Sequence, residues 1–272
     1  MPPAESNGLR QRVASALVLV PLVLAAAYYG RPVWDVLVGI MGIFMAWEWA
    51  HLCSRGGLSR AGAATIAMGA LTIAVGAIFG VLPGLVVVAA GALLVGLGAR
   101  LEAAASPAWL ALGVVYVGLP CLALTWLRAI PEDGRATLLW VLALVWATDT
   151  GAYVVGRRIG GPKLAPRVSP NKTWAGLFGG MAAAACVGIA ASVLVAGVSP
   201  WIAAPLGAAL AVVEQAGDLF ESAVKRRFGV KDSSRLIPGH GGVLDRVDGL
   251  LSVAIVVAGL SELAGHTILI WQ

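Results

Sequence analysis

Long apolar runs, separated by short polar connections, follow one another along nearly the whole chain. A helix crosses the hydrocarbon core of a bilayer in roughly 20 apolar residues. Nine runs approach or reach that length, at about 13–29, 33–50, 61–79, 82–98, 108–127, 137–156, 175–197, 200–220 and 249–271. Apolar residues do not alternate with polar ones inside them, which disfavours the strands of a membrane barrel. The pattern predicts an all-α fold, a polytopic integral membrane helical bundle of about nine transmembrane helices.

The composition supports this prediction. Hydrophobic residues make up 59% of the chain and charged residues 12%, whereas soluble proteins carry about 25% charged residues. The three cysteines, Cys53, Cys121 and Cys186, lie far apart without the spacing of a zinc site or a disulfide framework. We therefore expect small, buried thiols.

The basic residues predict an orientation in the membrane. Nine spans would place all of the 19 lysines and arginines on one side except Arg31, Arg128 and Arg135. Basic loops stay in the cytoplasm, so we expect a cytoplasmic N-terminus. The two long basic loops, 157–172 and 222–248, then lie on the cytoplasmic face.

Polar residues are distributed unevenly between the two halves of the chain. Up to about residue 130 the helices and their connections carry few polar groups. From Trp140 onward, charged and hydroxyl residues cluster at the helix ends and in the loops. The sequence contains no convincing internal repeat. We predict a single integral membrane domain over 1–272, with an N-terminal helical bundle at about 1–130 and a catalytic half at about 137–272.

The densest polar segment spans residues 222–248 and mixes cations, carboxylates and glycines, as a phosphate-and-metal site would. Its charged residues are Lys225, Arg226, Arg227, Lys231, Asp232, Arg235, Asp245, Arg246 and Asp248. The turn that contains Gly239, Gly241 and Gly242 offers backbone amides to an anion. His240 within this turn is either part of that site or a loop histidine with ordinary partners.

A second set of acidic residues precedes this segment. Glu214, Asp218 and Glu221 share one helical face because they are spaced i, i+4 and i+7. Three carboxylates on one stripe repel one another unless a cation lies among them, and Mg²⁺ prefers such oxygen ligands. The alternative is a stripe that Lys225 and Arg226 neutralise.

Two further positions add carboxylates. Asp149 lies inside the sixth span, where an ionisable residue is costly and is by default a functional hypothesis; it either faces a polar cavity or is paired within the bundle. Asp245 and Asp248 form a pair at the start of the ninth span.

The loop before the seventh span carries residue types that contact phosphates: Arg167, Ser169, Asn171, Lys172 and Thr173. Thr173 also suits the N-cap of the seventh span. The alternative is a cytoplasmic loop that is basic only because of its location. The scattered Asp35, Glu48, His51, Glu262 and His266 are interpreted as ordinary polar residues near span ends.

At these motifs the chain resembles the phosphatidate cytidylyltransferases, also called CDP-diacylglycerol synthases. The resemblance covers about 140–250 firmly. It rests on Asp149-Thr150 with Tyr153, Ser169-Pro170-Asn171-Lys172-Thr173-Trp174, Gly217-Asp218-Leu219, Ser222, Lys225-Arg226, Lys231-Asp232, Pro238, His240-Gly241-Gly242, Asp245-Arg246 and Asp248. One position departs from the family, because Ala175 stands where an acidic residue is usual.

The resemblance implies a transferase of phospholipid biosynthesis that makes CDP-diacylglycerol and pyrophosphate from CTP and phosphatidate. It implies dependence on one or two Mg²⁺ ions, with a monovalent cation as a further possibility. The metal ligands would be Asp218 and Asp245, with Asp149, Glu214 and Asp248 as weaker candidates. Lys225 and Arg246 would join Asp218 and Asp245 in catalysis. Substrate-binding residues would be Ser169, Asn171, Lys172, Thr173, Ser222, Arg226, Lys231, His240, Gly241 and Gly242.

The expected partners are CTP, phosphatidate in the cytoplasmic leaflet and the lipid bilayer, with a homodimer as a possible assembly and no nucleic acid. The resemblance places the protein in a bacterial inner membrane. Intramembrane carboxylates also occur in secondary transporters, but those have inverted repeats and broken helices. A CDP-alcohol phosphotransferase is disfavoured because Asp248-Gly249 continues into Leu250-Leu251. A CTP-dependent lipid kinase is the remaining alternative.

Overall fold

The structure is a computed structural model that describes residues 4–54, 57–102, 104, 106–237, 239 and 241–270, with the backbone alone at 4–13. Helices account for most of these residues. Those found within the described ranges are α1 Ala4–Tyr29, α2 Val33–Cys53, α3 Arg60–Phe79, α4 Val81–Leu101, α5 Pro107–Ala129, α6 Gly134–Ile159, α7 Trp174–Leu194, α8 Pro200–Arg227 and α9 Leu244–Ala264.

The predicted all-α, polytopic membrane fold is confirmed. Each predicted run corresponds to one helix, and among the residues that the structure describes eight helices, α2 to α9, are long and apolar enough to cross a membrane. The first helix contributes a shorter apolar stretch, Ala14–Tyr29.

Two helices differ from their predicted bounds. The eighth continues to Arg227 instead of ending near residue 220, because most residues of its last two turns are strong helix formers and the helix ends in cations that favour a C-terminus. The ninth begins at Leu244 and ends at Ala264, instead of covering 249–271. Gly265, with a φ of 72°, ends it, and a short 3₁₀ helix follows at Ile268–Ile270.

A small antiparallel hairpin, which the sequence analysis did not predict, connects α6 to α7. Strand β1 covers Lys163–Ala165 and strand β2 covers Ser169–Thr173, and Lys163 pairs with Thr173. The predicted N-cap role of Thr173 is confirmed, because its side chain accepts a hydrogen bond of 3.0 Å from the Gly176 amide. The hairpin therefore leads directly into α7.

The chain folds as two compact units. The first comprises Met1–Trp126 and Arg227–Val247, and the second comprises Leu127–Arg226 and Asp248–Gln272. The late loop 227–243 thus belongs to the unit built from the N-terminal helices. The predicted single domain with a division near residue 130 stays a prediction.

Within the second unit, α6 and α7 pack backbone against backbone. A Cβ atom on Gly151 would lie 2.7 Å from the Gly179 carbonyl oxygen, so only glycine permits this approach. Close contact through small residues is a common way for membrane helices to associate. This contact fixes Asp149 on α6 relative to the hairpin and the start of α7.

Candidate functional site

A cavity of about 550 Å³ opens in the second unit, a volume within the usual range of ligand pockets, roughly 300–1,000 Å³. It is formed by α6, the hairpin, the first turns of α7, and α8. Its lining residues are Asp149, Ala152, Tyr153, Gly156, Arg157, Gly160, Lys163, Asn171, Lys172, Thr173, Gly176, Leu177, Gln215 and Asp218. Asp149 lines this cavity, as its functional interpretation expected, and its predicted role as a metal ligand stays a prediction.

Lys172 connects the hairpin to α8 across the cavity. Its Nζ atom lies 2.6 Å from Asp218 Oδ2 and donates a hydrogen bond of 3.0 Å to Gln215 Oε1. The N-cap at the neighbouring Thr173 fixes the point at which β2 turns into α7. The lysine is therefore held at both its backbone and its ammonium group.

The carboxylates of α8 have distinct surroundings. Asp218 also accepts a hydrogen bond of 3.2 Å from Ser222, and its side chain stays 26% exposed. Glu214, one helical turn earlier, is buried and accepts a hydrogen bond of 2.7 Å from Gln215 Nε2. Gln215 thus joins Lys172 to Glu214, a role that the sequence analysis missed although this buried amide lies directly beside the acidic stripe.

Glu221, the third member of the acidic stripe, is paired differently. It is buried, and one of its oxygens lies 2.5 Å from Lys225 Nζ at spacing i, i+4. For Glu221, the alternative interpretation of a neutralised stripe is therefore correct. The predicted catalytic role of Lys225 stays a prediction.

Several acidic groups of the second unit interact electrostatically with one another. Glu214 interacts with Asp149, and Asp248 interacts with both Asp218 and Asp149. The lysines that offset this negative charge are Lys172 for Glu214 and Lys225 for Asp248. Such a surplus of close carboxylates favours the binding of a further cation.

The donor set matches Mg²⁺ in chemistry. Among the described residues, no group of three acidic, histidine or cysteine side chains could hold an ion by itself. Mg²⁺ commonly binds one or two carboxylates and completes its coordination with water and substrate phosphates. The residues present fit an ion that is shared with a phosphate, and the predicted metal-ligand roles stay predictions.

In the first unit, Asp245 organises the loop that precedes α9. Its Oδ2 atom accepts hydrogen bonds from the Ser233 amide (2.9 Å), the Ser233 hydroxyl (2.9 Å) and the Gly242 amide (2.8 Å). Ile237 and Gly241 exchange both backbone hydrogen bonds across the turn. The amides of Gly241 and Gly242 are therefore bonded within the loop, and these bonds give no support to the predicted anion contact.

Glu48 on α2 is the main residue that the sequence analysis missed. It was interpreted as an ordinary polar residue near a span end, yet its side chain is fully buried. It accepts hydrogen bonds from Ser233, Ser234, Val243 and Leu244. The available signal was a lone carboxylate between two tryptophans in an apolar run.

The other predicted substrate-binding residues lie at different depths. Ser169 is half-buried in β2, while Lys231 and Arg226 are exposed, as is the predicted catalytic Arg246. Arg226 donates a hydrogen bond of 3.5 Å to the Val168 carbonyl, at the turn of the hairpin. Pro238 and His240 lie outside the described residues.

Fold and cavity together define an integral membrane protein with carboxylates, lysines and hydroxyl groups among the residues that line its pocket. Comparison with known families then identifies the chain, which belongs to the cytidylyltransferase family: the family profile matches residues 10–264. The match includes both the cavity of the second unit and the Asp245 loop of the first.

Named relatives agree with this assignment. A phosphatidate cytidylyltransferase of Brucella suis biovar 1 (strain 1330) is 40% identical over 253 residues, which cover 92% of each chain. One of Staphylococcus haemolyticus (strain JCSC1435) is 42% identical over 54% of this chain and 55% of its own. One of Mycobacterium leprae (strain TN) is 43% identical over 46% of this chain and 40% of its own.

Proposed function

We propose that this protein transfers the cytidylyl group of CTP to phosphatidate and so produces CDP-diacylglycerol and pyrophosphate for phospholipid biosynthesis. The observation that carries the proposal is the cavity in which Lys172 and Asp218 meet at 2.6 Å among further carboxylates. Family membership and the names of relatives that align over most of this chain support the same reaction.

The reaction requires polyanions to meet. A phosphate oxygen of phosphatidate attacks the α-phosphorus of CTP, the bond between that phosphorus and the α,β-bridging oxygen breaks, and pyrophosphate leaves with the electron pair. The attacking phosphate is already ionised near neutral pH, so no strong general base is needed. Positioning and stabilisation of charge supply the catalysis, as in phosphoryl transfer generally.

Residues of the cavity suit these tasks. The Lys172 ammonium can exchange its contact with Asp218 for a phosphate oxygen, and Asn171 on the same strand lines the cavity beside it. The Thr173 hydroxyl accepts a hydrogen bond from the backbone amide of Gly176 and so caps α7. Its contribution to phosphate binding is therefore the placement of Lys172.

The proposal includes Mg²⁺. Asp218 would be its main ligand in the second unit, with Asp149, Glu214 and Asp248 as further ligands or as groups that orient its water. A bound Mg²⁺ would neutralise the charge of the phosphates. Ser222 would hold the Asp218 carboxylate in its orientation, since its hydroxyl already donates a hydrogen bond to that group.

The location is also part of the proposal. The distribution of basic residues supports a cytoplasmic N-terminus and a site on the cytoplasmic face, where CTP is available. The acyl chains of phosphatidate would stay in lipid while the headgroup enters the cavity. The bacterial relatives support a bacterial inner membrane. The transporter alternative is disfavoured because α6 and α8, which carry the carboxylates, are unbroken helices.

The direct test is an assay of the purified protein in detergent–lipid micelles with CTP, phosphatidate and MgCl₂. We expect pyrophosphate and CDP-diacylglycerol to form in equal amounts, and EDTA to stop the reaction. Replacing phosphatidate by diacylglycerol is the matched control, and it should give no product. Formation of CDP and a phosphorylated lipid in that control would instead identify a CTP-dependent lipid kinase.

A further inference from the structure

Glu48 is a buried carboxylate to which the proposed reaction gives no role. We propose that it is a positioning residue for cytidylyl transfer. Its bonds hold Ser233 and Ser234 on one side and Val243 and Leu244 on the other. Through Ser233 they set the orientation of Asp245, a predicted metal ligand. This inference rests on the proposed function and extends it to the N-terminal helices. Glu48 would not touch the substrates, and it would influence the reaction only through the loop residues to which it is hydrogen-bonded.

The hydrogen bonds of Glu48 use both of its oxygens. Oε1 accepts from the Ser234 hydroxyl at 2.6 Å and from the Val243 amide at 2.8 Å. Oε2 accepts from the Leu244 amide at 2.8 Å and from the Ser233 hydroxyl at 3.2 Å. A carboxylate is the side chain that offers two oxygens and no donor, so it matches a site with four donors.

Two of these bonds cap α9 from another part of the chain. Leu244 is the first residue of α9, and the first amides of a helix have no partner within it. Glu48 supplies both an acceptor and a negative charge there, which the helix dipole favours. The direction in which α9 starts is thereby tied to α2.

Ser233 links Glu48 to Asp245. Its hydroxyl lies 3.2 Å from Glu48 Oε2 and 2.9 Å from Asp245 Oδ2, and its one hydrogen serves either carboxylate. The Ser233 amide also donates to Asp245. A change at Glu48 therefore reaches Asp245 through a single residue.

The loop packs closely against Glu48 at Gly242. A Cβ on Gly242 would overlap the Ser233 hydroxyl and lie 2.5 Å from Glu48 Oε1. The start of the loop is anchored as well, because Arg227 lies 5.3 Å above the Trp109 ring and Phe228 packs edge-on against it at 5.8 Å. Helices α2 and α5 of the first unit thus hold the loop at both ends.

The test compares Glu48→Gln with Glu102→Gln in the purified full-length protein. Glutamine keeps the size of Glu48 but turns an NH₂ group towards backbone donors. Glu102 is a matched control, because it also accepts from an amide at a helix N-terminus, that of Ala61 at 3.1 Å. Turnover, the KM for CTP and hydrogen exchange of the loop amides are measured for each variant.

We expect Glu48→Gln to lower kcat at least about tenfold, because bonds to a buried charged group are lost. The KM for CTP should change less than about threefold, since Glu48 bonds to residues 233–244 and not to Asn171 or Lys172. Amides of 233–244 should exchange at least about tenfold faster, while those of α6 stay protected. Glu102→Gln should match the wild type in all three measurements.

Ser234→Ala is the second variant, for use if Glu48→Gln does not fold. It removes one of the four bonds and should lower kcat about threefold with the same selective exchange. Wild-type kcat and exchange in both Ser234→Ala and a folded Glu48→Gln would overturn the inference. If the wild-type protein has no cytidylyltransferase activity, the proposed function is overturned, and the catalytic part of the inference is overturned with it. The hydrogen-exchange data would still report whether Glu48 holds the loop.

Discussion

The two units use carboxylates in opposite ways. In the first unit, Glu48 and Asp245 Oδ2 accept hydrogen bonds from neutral donors of residues 233, 234 and 242–244, and they share the Ser233 hydroxyl. In the second unit, Asp218 is paired with Lys172, and Asp248 interacts electrostatically with both Asp218 and Asp149. The first arrangement fixes backbone, whereas the second leaves charge that a ligand can compensate.

This difference shows how one family motif can contain two kinds of acidic residue. A carboxylate surrounded by backbone amides defines a shape, and its loss deforms the loop. A carboxylate that faces other carboxylates and one lysine makes the electrostatic potential of the cavity negative. Its loss weakens the attraction of the cavity for cations. Substitutions that keep the size of a side chain but remove its charge separate the two roles.

The largest effect is expected for Asp218→Asn. The change should lower kcat by roughly 10²–10³-fold, the usual range when a group that stabilises developing charge is removed, while the protein still inserts and unfolds at a similar temperature. Steady-state kinetics over a range of MgCl₂ concentrations measure it.

Asp35→Asn is its matched control, because Asp35 is also paired with a cation, Arg31, at 2.6 Å. That pair belongs to the first unit and lies outside the proposed machinery, so activity should stay within about twofold of wild type. Near-normal turnover of Asp218→Asn would contradict the assignment of Asp218 as a metal ligand. It would also contradict the proposed difference between the carboxylates of the two units.

An intermediate effect is expected for Gly242→Ala in the first unit. The added methyl group would meet Ser233 and Glu48, and overpacking of this kind typically costs about 1–3 kcal/mol in the free energy of unfolding. Thermal unfolding in detergent and turnover are both measured. Gly57→Ala, whose methyl group would meet nothing within 4 Å, should change neither. Equal behaviour of the two variants would contradict the shape-defining role of the loop.

The smallest effect is expected for the removal of a helix N-cap, and it allows a direct comparison of the two units. Thr173 caps α7 in the second unit, and Ser59 caps α3 in the first, each with a hydrogen bond of 3.0 Å to an amide. Either residue changed to alanine should cost about 1 kcal/mol in the free energy of unfolding. Only Thr173→Ala should also raise the KM for CTP, because Lys172 precedes it. A raised KM in Ser59→Ala would show that the effect is a general one of stability.

Much of this fold is readable from the sequence, because apolar runs of membrane length leave few alternatives. The nine helices seen in the described part of the chain follow from them, and the N-cap at Thr173 follows from its position before an apolar run. The convergence of Asp149 and Asp218 on one cavity could be expected from the cost of placing carboxylates in membrane helices.

The remaining features depend on contacts between distant parts of the chain. The hairpin at 163–173 has no alternating pattern that would predict strands, and it forms where two short segments pair beside α7. Gln215 and Glu48 gain their roles from partners 43 and at least 185 residues away. A local pattern contains no information about such partners, so Glu48 was interpreted as ordinary.

The long separation between Glu48 and its loop also has a consequence for biosynthesis. Ser233 leaves the ribosome 185 residues after Glu48, which at 5–20 residues per second corresponds to roughly 10–40 s. Throughout that interval the nascent α2 carries a carboxylate whose native donors do not yet exist. The N-terminal half therefore reaches its final state only when nearly the whole polypeptide has been translated, and a stalled or shortened nascent chain would keep an unsatisfied acidic residue within α2.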